Sequence, residues 1–227
     1  MKIIANLSFV LILIFTIGAC GSADFGENVE ATEAKEVKGK TAKTNLRIVD
    51  TENSILEWVG SKPTGEHSGT VYIKSGEFLL QDGKLTGGSF LIDMMSIKNT
   101  DIKDPDKSQK IVDHLQSVDF FNTSEFPEAK FEITKIEPLN SDLTGGDWVP
   151  NQLITGNLTI KNISKSITFK AYVNYNENRI EAFSEKFTIN RAEWDIQYKS
   201  KSFFDDLKDN FIHDEIGISI EIKSIKE

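Results

Sequence analysis

The sequence holds a single cysteine, Cys20. No intramolecular disulfide can form, and a zinc site of paired cysteines is excluded. Histidine is nearly as scarce. His67, His114 and His213 are far apart, none with a second His or Cys at metal-ligand spacing, so no metal is called for. Basic residues are in deficit: 26 Lys and Arg stand against 35 Asp and Glu, giving −9 at pH 7. That argues against nucleic acid as a partner, which needs a concentrated basic surface. It argues equally against attachment to an anionic leaflet by charge. Long apolar runs are missing as well; residues 9–17 are apolar apart from one Thr, too short for a bilayer that takes about 20 residues to cross. No Gly-x-Ser-x-Gly elbow occurs, and Ser68 and His67, being adjacent in an extended segment, point to opposite faces, so no nucleophile–base pair emerges.

What is present begins at the N-terminus. A basic Met1-Lys2 start followed by the apolar run has the form of a secretory signal. The next residues, Ile17-Gly18-Ala19-Cys20, resemble a bacterial lipobox, in which small residues admit the signal peptidase and the cysteine receives diacylglycerol. Residues 1–19 are therefore expected to be a lipoprotein signal peptide, with lipidation at Cys20 and membrane attachment through that acyl anchor, each buried methylene contributing about 0.8 kcal/mol. Gly21 and Ser22, with no Asp directly after the cysteine, point to an outer-membrane anchor facing the periplasm. Residues 20–44 are small, charged and almost free of large apolar side chains, and read as a flexible tether.

From residue 45 to 227 the texture is that of one β-domain. Short alternating runs occupy residues 54–60, 70–74, 76–80, 88–94, 129–136, 157–160, 166–173, 186–189 and 215–222. Turn-forming clusters at 81–84, 140–142, 145–146 and 174–178 separate them. About eight strands with one apolar face each predict an antiparallel barrel or sandwich. One stretch is helical instead. Asp104 is a suitable N-cap, Pro105 suits the first turn, and Ile111, Val112, Leu115 and Val118 share a face, predicting one short helix that caps a barrel opening. A second helical turn is expected over 203–208.

Several of these segments, in order, resemble the YceI-like family. They are WVGSK at 58–62 with GEHSGT at 65–70; LTGGSF at 85–90 with IDM at 92–94; DFF at 119–121 with EFPEAKF at 125–131; GNLTIK at 156–161; and TINR at 188–191. The closing SKSFFDD at 200–206 and FIHD at 211–214 are similar to the Bacteroidetes-type lipoprotein branch. The resemblance covers roughly residues 46–227. It implies a lipocalin-like eight-stranded antiparallel β-barrel around an apolar cavity for a polyisoprenoid or other long amphiphile, in an exported protein with no catalytic residue set and no cofactor. Where the family usually carries Gly-(Ile/Val)-Thr-Lys-Pro, this chain has Asn162-Ile-Ser-Lys-Ser166; Asn tolerates the left-handed backbone such a turn needs.

Alternation nominates the inward, ligand-facing set: Trp58, Val71, Ile73, Phe78, Phe90, Ile92, Phe131, Ile133, Leu158, Ile160, Phe169, Phe187, Ile189, Ile218 and Ile220. Phe120, Phe121 and Phe126 follow the helix and either line the cavity mouth or hold the helix down. His67 is the candidate for a polar head group, and His114 is expected on the helix's polar side. Asp119 and Arg191 could pair if buried, although two independent surface or turn residues is the plainer expectation. The partner implied is a long-chain isoprenoid or fatty lipid, stored or transported in the cell envelope. The alternatives are a protein-interaction module whose barrel is filled by its own side chains, and an enzyme acting on a lipid. Oligomeric state stays open, a dimer included.

Overall fold

The computed structural model describes residues 25–37, 39, 41, 44–139, 149–175 and 179–225. Cys20, the signal segment, the turns expected at 140–142 and 145–146, and part of that at 174–178 lie outside them. In chain order the elements are β1 (Glu27–Asn28), β2 (Thr32–Glu33), β3 (Thr44–Ile48), β4 (Ile55–Lys62), β5 (Gly65–Gln81), β6 (Lys84–Asn99), α1 (Pro105–Gln116), β7 (Glu128–Pro138), β8 (Gln152–Ile160), β9 (Ile163–Tyr175), β10 (Ile180–Ser184), β11 (Phe187–Asn190) and β12 (Glu215–Lys223). Strands β4 through β10 pair antiparallel with their sequence neighbours, and β12 pairs with both β10 and β4, which closes an eight-stranded antiparallel barrel.

Local chemistry explains the connections. The β5–β6 turn has Asp82 and Gly83 at φ 51° and 73°, and the β8–β9 turn has Lys161 and Asn162 at φ 49° and 61°. Positive φ at both central residues is the twist-matched two-residue hairpin turn. The runs expected at 70–74 and 76–80 are one long strand, β5, bent by three register shifts against β6. Helix α1 opens as expected: the Asp104 side chain accepts from the amides of Asp106 and Lys107, and Pro105 occupies the first turn. It ends at Gln116, however, so Val118 falls beyond it and is 75% exposed rather than on the apolar face. Residues 203–208 form no helix; they are irregular, with turns only at Phe203 and Lys208.

The N-terminal stretch differs from the expected tether. Strands β10 and β11 act as one barrel strand interrupted at Glu185 and Lys186, and past the break β11 no longer reaches β9. Residues 25–35 fill that seam. β1 runs parallel to β11, and β2 runs antiparallel to β9. The Thr188 hydroxyl donates to the Phe25 carbonyl at 2.7 Å, and the Val29 amide to the Thr188 carbonyl at 2.9 Å. Asn157, 5% exposed, accepts from the Lys35 amide at 2.9 Å and donates to the Lys35 carbonyl at 2.6 Å. Gly26 makes the approach feasible: at φ 82° a Cβ there would lie 2.0 Å from the Lys186 carbonyl oxygen. A segment without a periodic apolar pattern is thus ordered by the unpaired backbone edges it covers.

Candidate functional site

The barrel interior has two halves of different character. One is solid. Phe78 and Phe90 meet edge to face at 5.2 Å, Phe131 and Phe169 lie 5.7 Å apart, and Phe169 stacks on Phe187 at 4.6 Å. Ile73 and Ile133 are buried in the same cluster, and Ile220 packs against it. The other half is hollow, with a cavity of about 510 Å³. That lies within the range of small-molecule sites, roughly 300–1,000 Å³.

The nominated residues divide between these halves. Trp58, Val71, Ile92, Phe120, Phe121, Leu158, Ile160, Ile189 and Ile218 line the cavity, as does His67. Phe78, Phe90, Phe131, Ile133, Phe169, Phe187, Ile73 and Ile220 do not; they belong to the packed core, the phenylalanines among them in the ring contacts just given. Alternation reports which side of the sheet a residue faces and carries nothing about depth along the barrel axis. Phe126 is not among the cavity-lining residues either.

Much of the remaining wall comes from residues that were not nominated, some inside the alternating runs and some outside them. Met94 and Ile97 extend the β6 face, and Ala129 stands where a larger residue would close the space. Ile111 and Leu115 of α1 form a lid, as the helical spacing foretold. His114 departs from its expected place on the polar side. Its ring meets Phe120 at 4.9 Å and Tyr198 at 4.7 Å, both edge to face, while Nε2 lies 3.0 Å from Asp119 Oδ2. The remaining wall is the irregular segment after β11, with Trp194, Ile196, Tyr198, Phe211 and Ile212. No period marks these residues; Phe211 and Ile212 fall in the FIHD motif, which says nothing of a cavity wall.

Arg191 organises that segment. It is 2% exposed. Nη1 donates to the Ile196 carbonyl at 2.8 Å, Nη2 to those of Tyr198 at 2.9 Å and Ile212 at 3.2 Å, and Nε to that of His213 at 3.3 Å. Nη2 also lies 3.1 Å from Asp214 Oδ1, close enough for an ion pair but outside hydrogen-bond geometry. The other carboxylate oxygen accepts from Ser200 at 2.8 Å and Ser202 at 2.7 Å. Burial pushes the guanidinium below its ordinary value, and Asp214 and then Glu215 oppose that. Arg191 still stays charged, as guanidinium does in proteins. The buried acid partner is therefore Asp214, not Asp119. Trp194, fully buried, donates from Nε1 to the Leu158 carbonyl at 3.0 Å and fixes the segment to the barrel wall.

Polar groups gather at the opening. Ser61, Lys62, Thr64 and Gly65 of the β4–β5 hairpin line it with His67, Lys199, Asp209 and Asn210. His67 Nδ1 lies 2.9 Å from Asp101 Oδ2, whose partner Oδ1 accepts from the Ser68 amide at 2.9 Å. Burial alone would raise the Asp101 carboxyl. Hydrogen bonds from His67, Ser68 and Asn99 outweigh it and hold the group below its ordinary 3.8. Trp58 stands beside this rim, and Gly69 opposite it is required: a Cβ there would lie 2.7 Å from the indole and 1.8 Å from the Lys98 carbonyl oxygen. Among the described residues no three His, Cys, Asp or Glu side chains converge as a metal site.

Comparison with known proteins agrees with this architecture. The sequence model of the family described as the YceI-like domain matches residues 47–224. A UPF0312 protein of Shewanella denitrificans is 33% identical over 98 residues, 43% of this chain and 44% of that protein. Protein YceI of Escherichia coli is 36% identical over 58 residues, 26% of each chain. These matches span less than half the length of either relative. Among solved structures, BcnA of Burkholderia cenocepacia has a TM-score of 0.54 at 20% identity, covering 77% of this chain and 98% of BcnA. A polyisoprenoid-binding domain from Saccharophagus degradans, implicated in plant cell wall breakdown, has a TM-score of 0.56 at 15% identity, covering 81% of this chain and all of that domain. At such identities the likeness is one of fold.

Proposed function

Since the chain belongs to the YceI-like family, we propose that it is an exported lipoprotein, acylated at Cys20, whose half-hollow barrel holds one long amphiphile of polyisoprenoid or fatty type in the cell envelope. The observation that carries this reading is the cavity: about 510 Å³, walled mostly by aliphatic and aromatic side chains, with Arg191 and His114 among its few polar neighbours besides those of the β4–β5 hairpin and residues 199–210. An apolar chain enters and a polar head stays at the rim, where His67 and Lys62 stand. Each isoprene unit transferred from water contributes up to roughly 4 kcal/mol before chain ordering is subtracted. Binding of this kind needs no catalytic group, and the function proposed is storage or transport. The fold found in the Saccharophagus domain, described as polyisoprenoid-binding, supports the ligand class. A barrel filled throughout by its own side chains would favour a protein-interaction module; here only the phenylalanine half is filled.

The test is native mass spectrometry of the chain from a bacterial host, followed by organic extraction. Residues 25–37 must be kept, since they complete the seam. A stoichiometric adduct that extracts as a prenyl or fatty lipid is expected. A clean apo mass, unchanged after incubation with polyprenyl compounds, would reject the carrier.

A further inference from the structure

The cavity opening is framed on one side by residues 198–212, of which Lys199, Phe211 and Ile212 line it. The same segment displays Phe203 and Phe204, adjacent in sequence and 43% and 46% exposed. Each of these neighbouring rings leaves nearly half of its surface in water, and among the described residues neither stacks on another. They are nonetheless held in place. The Ser200 and Ser202 hydroxyls are bound to buried Asp214, and the Phe203 and Phe204 amides donate to the Ser200 carbonyl at 3.3 and 3.0 Å. Lys199 and Lys208, at φ 51° and 49°, turn the chain at either end. The segment is pinned up to Ser202 and then exposes its two rings, in a stretch whose two ends, Lys199 and residues 209–212, line the cavity.

We infer that the Phe203–Phe204 tip is a bilayer-docking element: its rings enter the interfacial layer of a phospholipid membrane and set the cavity opening against the surface from which an apolar ligand is drawn. The purpose of the docking rests on the carrier reading; the docking itself does not. A protein partner or a second copy fits less well. A fully buried phenylalanine covers about 150–250 Å², so two half-exposed rings offer on the order of 200 Å², well short of the roughly 800 Å² per partner of a stable interface. A bilayer needs no complementary shape, and exposed aromatic side chains add buried apolar area to a peripheral contact. Charge plays little part. Lys199, Lys201 and Lys208 are balanced by Asp205, Asp206 and Asp209, and the whole chain carries −9. The favoured surface is therefore zwitterionic, and the contact is insensitive to salt.

The test uses the full chain in a Cys20→Ser background, with Phe203→Cys or, separately, Phe204→Cys carrying an environment-sensitive fluorophore. Asp82→Cys, in the β5–β6 turn at the filled end, is the control. Phosphatidylcholine vesicles bear spin-labelled acyl chains, and each label is measured again with Ala129→Phe filling the cavity, so that a spin-labelled lipid drawn inside is told apart from docking. The expected result is a blue shift and quenching at 203 and 204, at least fivefold stronger than at 82 and retained in high salt. Quenching at the tip no greater than at 82 would overturn the inference. So would a blue shift that grows with protein concentration in the absence of vesicles, which would assign the tip to self-association.

Discussion

Asp214→Asn tests how the cavity wall is held. Asn preserves the shape of the side chain, and its carbonyl oxygen can still accept from Ser200 and Ser202. What it removes is the charge facing Arg191 at 3.1 Å, in a site where Arg191 is 2% and Asp214 8% exposed. Leaving one member of a buried pair uncompensated costs about 3–5 kcal/mol. Four carbonyls still solvate the guanidinium here, so the lower end, about 3 kcal/mol, is expected. Arg191→Lys is the companion variant. It keeps a positive charge but has three donors on a flexible stem, and cannot serve four carbonyls and a carboxylate together. Its loss should match or exceed that of Asp214→Asn. Urea unfolding, read as the midpoint shift at constant slope, measures both. Limited trypsin digestion reads the local consequence, because Lys199, Lys201 and Lys208 lie in the segment that Arg191 ties down, and cleavage there should accelerate in both variants. A loss under 1 kcal/mol for Asp214→Asn, with unchanged cleavage, would refute the reasoning: the segment would then be held by Trp194 and Ile212 packing alone.

Further outcomes are expected from four other sites. Ala129→Phe, placed on a cavity wall 3% exposed, should fill the space, remove the lipid adduct in native mass spectra and leave cooperative unfolding intact; an undiminished adduct would place the ligand elsewhere. Aspartate at Phe90 or Phe131, by contrast, is a stability test, since those rings belong to the packed half. Asp101, held below 3.8 by His67, Ser68 and Asn99, contributes stability that is present above that ordinary value and lost as pH falls through its lower folded value. The stability gap between the parent and Asp101→Asn should therefore shrink as pH is lowered below about 4, as urea titrations at stepped pH would show; a gap that widens below about pH 4 contradicts the sign. Gly26→Ala should detach the seam segment, because φ 82° and a carbonyl 2.0 Å from the new methyl both oppose it. Hydrogen exchange should then accelerate at the Val29 and Lys35 amides, with the β8 amides keeping their protection.

The sequence by itself determined the strands with clean alternation, the helix with its Asp104 cap and Pro105, and the side of the sheet on which each nominated residue lies; all of these pack inward. Each is a local matter of period or capping. Tertiary structure decided depth. Phe131 and Leu158 are register partners across β7 and β8, yet the first packs on Phe169 and the second lines the cavity, because what an inward side chain meets is set by the opposing wall and not by its own strand. It also decided the seam, where residues 25–35 take extended structure from the open edges of β9 and β11 rather than from any pattern of their own. And it chose the partner of Arg191. The irregular chain between them brings Asp214 close and leaves Asp119 to His114, because burying a guanidinium requires a carboxylate and several carbonyls at one point, and only the folded loop assembles them.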